Sequence, residues 1–387
     1  MAGLATPERR FCISRNRCTR GNGGSEPGRK SENTNMKRRF AVLDGLRGIA
    51  AIAVVAYHAG IVLNLRGSLT VKADPAVDLF FCISGFVLAF AHDTDIVEGR
   101  LTAIQFAVVR WLRFLPILAL GGALGLTAIL FDPTDYPFIY ENNADVASFS
   151  IKLAVLSLFL IPTSLKSQLL FVNNVYWSLC VELIVNIAYA LQGNYSKQKY
   201  LYAIWLSSAL LLVFLYAWFR SVHIVPETPL RNFGSLIRGF ASFFAGIVVF
   251  RIWQMGFRAP QVNPWCLFAT VSLPLLFPFS APWFQVPFDA FFILLIFPAV
   301  VWLAASSTTQ FERMFSIMGE ASFPLYATHL PLLYFAKAPF VGAATGTKLS
   351  FVLAFTALMV ALSVAIAFFF EMPARAFIRA LTRKIRR

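Results

Sequence analysis

Charge is scarce in this chain. Of its 387 residues, 14% are charged and 58% hydrophobic, and the mean hydropathy is +0.67. Soluble domains carry roughly 25% charged and about 45–50% apolar residues, so this composition excludes an ordinary soluble fold. Cysteine numbers only five. Cys12, Cys18, Cys82, Cys180 and Cys266 are scattered without metal-ligand spacing, which argues against a zinc module and a disulfide framework. Those in apolar segments read as small buried hydrophobes, and no metal is expected. Residues 1–35 hold no apolar run long enough for a secretory signal. Their Gly/Ser/Asn/Arg-rich composition reads as a disordered polar leader, with Met36 the expected true start. Strong internal repeats are also missing, and with them the inverted-repeat signature of many transporters.

Long apolar runs are what the chain has in plenty. They cover approximately 40–63, 77–93, 112–131, 175–191, 200–220, 235–253, 264–279, 286–305, 320–338 and 349–370. A helix needs about 17–25 apolar residues to cross a bilayer. The expected fold is therefore all-α, a polytopic integral membrane helical bundle of about ten transmembrane helices. The stretch 150–163 is apolar but short for a crossing, and reads as re-entrant or interfacial. The net charge of +15 comes from basic residues in tails and short loops, so it reads as membrane orientation and not as nucleic-acid binding. Lys37, Arg38 and Arg39 precede the first run, and Arg379, Arg383, Lys384, Arg386 and Arg387 follow the last. Ten spans put both termini in the cytoplasm, with a transmembrane domain at 36–375 and a basic tail at 376–387.

Against this background, ionisable residues inside the runs are functional candidates, because each is costly in a membrane helix. Arg47 and His58 lie close to three turns apart in the first run, hence on one face. Asp78 and Ser84 are the polar members of VDLFFCISGFVLAF (77–90). Asp78 admits two readings, orienting an imidazole or capping a helix. Arg110 and Arg113, at i and i+3 in VVRWLRFLP, suit a phosphate-bearing ligand or simply set topology. In NNVYWSLCVELIVNIAYA, Glu182 needs a cationic partner, which Arg47 is placed to supply. Tyr176 and Trp177 there read as interfacial belt or as substrate contacts. ASFPLYATHLPLL brings Tyr326 and a second intramembrane histidine, His329, both candidate substrate contacts. The remaining two of the four histidines, His92 and His223, read as span-edge or loop residues.

Five segments in this order, LDGLRGIAAIAVVAYH, DLFFCISGF, RWLRFLP, YWSLCVE and FPLYATHLP, resemble the acyltransferase 3 family of polytopic membrane O-acyltransferases. The resemblance runs from about residue 38 to 375. It implies transfer of an acyl group, commonly acetyl, from cytoplasmic acyl-CoA to a hydroxyl of an envelope or exported glycan or lipid-linked sugar. In bacteria this places the chain in the inner membrane. His58 then matches the family's essential first-span histidine and Arg47 its intramembrane arginine. Arg110 and Arg113 match the paired arginines that meet the coenzyme A phosphates. Asp78 and Ser84 match polar positions of the second-span motif, and Glu182 the acid of the fourth. Two positions depart from the pattern: Ala76 stands where Gly is frequent, and Leu183 follows Glu182 where a second acid is frequent. The chain stops soon after Glu371-Met372-Pro373, so the appended hydrolase-like domain of longer members is not expected. A proton-coupled transporter of an acidic or sugar-linked molecule is the alternative, since buried Arg, Glu and His also build such pathways.

Overall fold

Apolar runs separated by short polar breaks fold as helices, because a backbone in lipid must satisfy its own hydrogen bonds. The computed structural model describes residues 39–65, 72, 74–132, 145–165, 168–193, 199–276 and 282–382. The first helices are α1 (Ala41–Val62), α2 (Asp74–Val97), α3 (Ala103–Phe131) and α4 (Val146–Leu158). A small antiparallel ribbon follows, Thr163–Leu165 on Gln168–Leu170, with Thr163 opposite Leu170. Then come α5 (Tyr176–Gln192), α6 (Lys199–Phe219), α7 (Pro229–Gln254) and α8 (Pro264–Leu276). Helix α9 (Pro282–Phe291) passes through a π-helical turn, Phe292–Ile296, into α10 (Phe297–Ser306). Helix α11 (Glu312–Ala336) precedes α12 (Thr345–Ile366), which runs through a second π-helical turn, Ala367–Glu371, into α13 (Met372–Thr382). The fold is thus an all-α polytopic membrane bundle, and the ribbon is its one departure from helix among the described residues. The described residues from Phe40 onward form one compact unit. The leader at 1–35, the Met36 start and the last basic residues from 383 lie outside the described residues, while residues 376–382 of the expected tail continue α13.

Each of the ten expected spans corresponds to a helix or, for α9–α10, a continuous helical pair. Seven of these are long and apolar enough to cross a membrane. Helices α5 and α8, with 17 and 13 residues, are shorter, and α11 is long but carries Glu312, Glu320 and His329. One boundary moves substantially. Helix α3 begins at Ala103, nine residues before the apolar run, because Thr102 and Gln105 form a capping box. Arg110 and Arg113 therefore sit in the second and third turns of a helix and not in a lead-in.

Helix directions test the span count. Asp78 meets Arg238 and Ser242, and Asp93 meets Arg251, so α2 and α7 run parallel. Two parallel helices need an odd number of crossings between them. With α3 and α6 crossing, only one of α4 and α5 can cross as well, and the longer, α5, fits the expected count. Likewise Asp44 lies against Gly319 and His58 against His329, which makes α1 and α11 parallel, as the first and ninth of ten spans must be.

Small residues let these pairs approach closely. A Cβ on Gly85 would lie 2.0 Å from the Phe243 carbonyl oxygen, and one on Gly246 would lie 2.0 Å from that of Cys82. Only glycine fits at that α2–α7 crossing. Helix α11 contains Pro331, which has no N–H, so the Ala327 carbonyl loses its helical donor. Asn173 repairs this, its Nδ2 donating to that oxygen at 2.7 Å. The repair ties the segment before α5 to the α11 turn that carries His329. Exposed Phe131, Leu210, Trp218, Leu353 and Phe369 form the apolar outer surface that faces lipid.

Candidate active site

Two of the polar constellations inside the bundle lie toward opposite ends of α1. His58 sits one turn from the end of α1, and Arg47 is in its second turn, about 16 Å away along the axis.

At the His58 end, two imidazoles meet. His329 is fully buried, and its Nδ1 faces the carbonyl oxygens of Leu325 at 3.1 Å and Tyr326 at 2.8 Å. Carbonyls only accept, so Nδ1 of His329 carries the proton and its Nε2 is a bare lone pair in the neutral ring. That Nε2 lies 3.0 Å from Nδ1 of His58, which also faces the Val54 carbonyl at 3.0 Å. Both partners of His58 Nδ1 are therefore acceptors, and Nδ1 must donate. The lone pair of neutral His58 is thereby fixed on Nε2. The Tyr326 ring packs against His329 and Phe80, and its hydroxyl is held by Ser178 at 2.7 Å.

Nearer the other end, Ser84 donates to Glu182 Oε1 at 2.6 Å, and Arg110 Nη2 reaches the same oxygen at 3.3 Å. This trio, with Arg110 buried and Ser84 and Glu182 half-buried, joins α2, α5 and α3. Arg47 and Arg113 lie within electrostatic range of Arg110, yet neither makes a hydrogen bond or ion pair among the described residues. Arg47 is half-buried and Arg113 exposed. Arg110 also leaves its buried Nε unpartnered. Three guanidiniums against one carboxylate make an anion-seeking cluster. Arg375, held by Glu371 and Glu320, lies within range of Arg113 as well.

Several assignments from sequence are corrected by this geometry. Asp78 does not orient His58. Its carboxylate is fully buried and takes Arg238 Nη2 at 2.6 Å and Ser242 Oγ at 2.9 Å, and His329 holds His58 instead. Glu182 pairs with Arg110 and not with Arg47, because α3 is the neighbour of α5 at that depth. The Ser84 hydroxyl proton is committed to Glu182. Tyr176 is no surface contact: it is fully buried and donates to the Leu118 carbonyl at 2.9 Å, locking α5 to α3. Trp177 is buried beside it in the core. Among the described residues no group of three or more potential ligands is placed to hold a metal ion.

Sequence reasoning missed Arg238 and Arg251, though both are charges within the apolar run 235–253, the signal used elsewhere. Arg251 holds Asp93 on α2, and Tyr189 donates to the same carboxylate. It also passed over His223, whose Nδ1 lies 2.6 Å from Asp74 Oδ1. That hydrogen bond raises the His223 pKa above its ordinary value.

A helical membrane bundle that encloses a tautomer-locked histidine above an arginine cluster has the parts of a membrane acyltransferase. Residues 40–368 match the family model described as "Acyltransferase domain", and the chain belongs to that family, the acyltransferase 3 family whose motifs it carries. It is also 35% identical over 184 residues to "Protein 2 in picA locus" of Rhizobium radiobacter, covering 45% of this chain and 93% of that protein. No solved structure matches it.

Proposed function

We propose that this multi-pass membrane acyltransferase moves an acyl group, acetyl in the simplest case, from acyl-CoA to a sugar hydroxyl, with His58 Nε2 as general base. The observation that carries the reading is the contact of His58 Nδ1 with His329 Nε2 at 3.0 Å, with His329 Nδ1 against two carbonyls, which in neutral rings leaves the His58 Nε2 lone pair free. A base must be both unprotonated and aimed, and a neutral imidazole so held is both.

The steps balance without a cofactor resident in the protein. His58 Nε2 takes the acceptor hydroxyl proton as that oxygen attacks the thioester carbonyl. The C–O bond forms, the C–S bond breaks, and the coenzyme A sulfur leaves with the proton returned by His58. While His58 is an imidazolium, its Nδ1–H donates a charge-assisted hydrogen bond to the bare Nε2 of His329. Arg47, Arg110 and Arg113 suit the phosphates of the coenzyme, since guanidinium presents paired donors to phosphate oxygens. Their separation from His58 along α1 then calls for a donor threaded through the bundle.

In a bacterial inner membrane with both chain ends in the cytoplasm, the arginine end faces acyl-CoA and the His58 end faces an envelope glycan or lipid-linked sugar. Lys37, Arg38 and Arg39 before α1 favour that orientation. Coenzyme A binding separates this reading from a proton-coupled transporter. Calorimetric titration of the purified protein with coenzyme A is expected to show saturable binding that weakens in Arg113→Ala. Absence of binding to the wild-type protein contradicts the proposal.

A further inference from the structure

At the His58 end of the bundle a third imidazole, unused by the steps above, is held by several hydrogen bonds. His223 lies in the link between α6 and α7, with its side chain 42% exposed. Its Nδ1 is occupied by Asp74 Oδ1 at 2.6 Å, on the first residue of α2. The backbone that carries it is pinned from three sides. Arg231 Nη1 donates to the His223 carbonyl at 2.7 Å, Arg238 Nη1 to the Ile224 carbonyl at 3.1 Å, and the His223 N–H donates to Ser221 Oγ at 2.9 Å. Arg238 Nη2 also donates to the Asp74 carbonyl at 2.7 Å. One fully buried guanidinium therefore fixes both members of the pair.

Stability does not account for this arrangement. A partly exposed His–Asp contact contributes about 0–1 kcal/mol. Loops on rigid scaffolds are where recognition groups are presented. The neighbourhood matches that role. His58 lies within electrostatic range of both Asp74 and His223. Lys72 and Asp289 lie within range of Asp74, and they approach each other at 3.7 Å. Asp289 is fully buried, and its Oδ1 has no hydrogen-bond partner among the described residues, although Gln285 Nε2 donates to Oδ2 at 2.6 Å. A donor (Lys72 Nζ) and acceptors (the His223 Nε2 lone pair, Asp74, Asp289 Oδ1) thus lie together near one end of the bundle with nearly balanced charge. That combination suits an uncharged polyhydroxylated ligand better than a polyanion.

We infer that His223, oriented by Asp74, is the acceptor-side contact of the transfer reaction, its free Nε2 hydrogen-bonding a second hydroxyl of the sugar whose reacting hydroxyl meets His58. The inference rests on the acyl-transfer reading and names a part of it. The test uses the full-length protein in its membranes, radiolabelled acetyl-CoA, and the envelope glycan fraction of the producing strain as acceptor. His223→Ala is expected to raise the apparent KM for the glycan about tenfold, the loss of one polar contact. The KM for acetyl-CoA should stay put, His223→Gln should recover part of the loss, and Asp74→Asn should follow His223→Ala. An unchanged glycan KM in His223→Ala overturns the subsite alone. An equal rise in both KM values also overturns it, as a structural role would give. No transfer by the wild type overturns the acyl-transfer reading, and the subsite with it.

Discussion

His58 Nδ1 donates its proton to Nε2 of His329 across 3.0 Å, joining residues 271 positions apart on two parallel helices. The direction of that bond is dictated by two backbone carbonyls behind His329, and it makes His329 a positioning residue. His329→Ala is expected to lower kcat by about 10- to 100-fold, part of the roughly 10²–10⁴ that a general base contributes. The KM for acetyl-CoA should hardly change. His329→Gln, whose amide oxygen can accept from His58, should recover some of the rate. Steady-state kinetics on membranes decides this, and a pure KM effect in His329→Ala contradicts the positioning role.

Arg110 and Arg113 are neighbours in sequence but differ in surroundings. Arg110 is buried against Glu182, whereas Arg113 is exposed and without an ion-pair partner among the described residues. Arg113→Ala should therefore raise the KM for acetyl-CoA with little change in melting temperature. Arg110→Ala should do both, because it leaves the half-buried Glu182 carboxylate without its cationic partner. Matched thermal melts and kinetics of the two variants test the difference. Equal melting losses count against it.

The α2–α7 crossing predicts a large effect from a single methyl group. At Gly85 and Gly246 an added Cβ meets backbone of the opposite helix at 2.0 Å, so the helices must move apart. Overpacking of this kind costs typically about 1–3 kcal/mol. Gly85→Ala and Gly246→Ala should each lower the melting temperature in detergent. Gly60→Ala, where nothing lies within 4 Å of the added carbon, should not.

The legible part of this protein was local. Apolar run length gives the helices, and the spacing of Arg47 and His58 gives their common face. What could not be read is which charge meets which, since that depends on tertiary register. Asp78 finds Arg238 only because α2 and α7 lie parallel with an offset of 160 residues, and no local period encodes that offset. The same limit explains why Glu182 was matched to Arg47, and why His223 looked like an idle loop residue. The start of α3 is encoded by the polar Thr102–Gln105 cap, which lies outside the apolar run that marks the rest of the helix.

His223 also sets a pH signature outside the spans. Its pKa is raised in the folded protein, first by the hydrogen bond to Asp74, with Glu227 assisting and Arg238 opposing. Arg231, which bonds the His223 carbonyl, and the titratable His58 on α1 also lie near it. A raised folded-state pKa stabilises fully below the unfolded value of about 6.5, and that contribution is lost as pH rises through the folded value. The melting-temperature gap between wild type and His223→Gln should therefore be widest below about pH 6.5 and narrow toward alkaline pH. A gap that stays constant between these limits contradicts the Asp74 linkage.

The most direct test of the whole account is transfer of radiolabel from acetyl-CoA into the glycan fraction of membranes holding wild-type protein or His58→Ala at equal abundance. The account predicts label with the wild type and its loss, to about a hundredth or less, with the variant. Equal labelling by the two proteins contradicts His58 as the base.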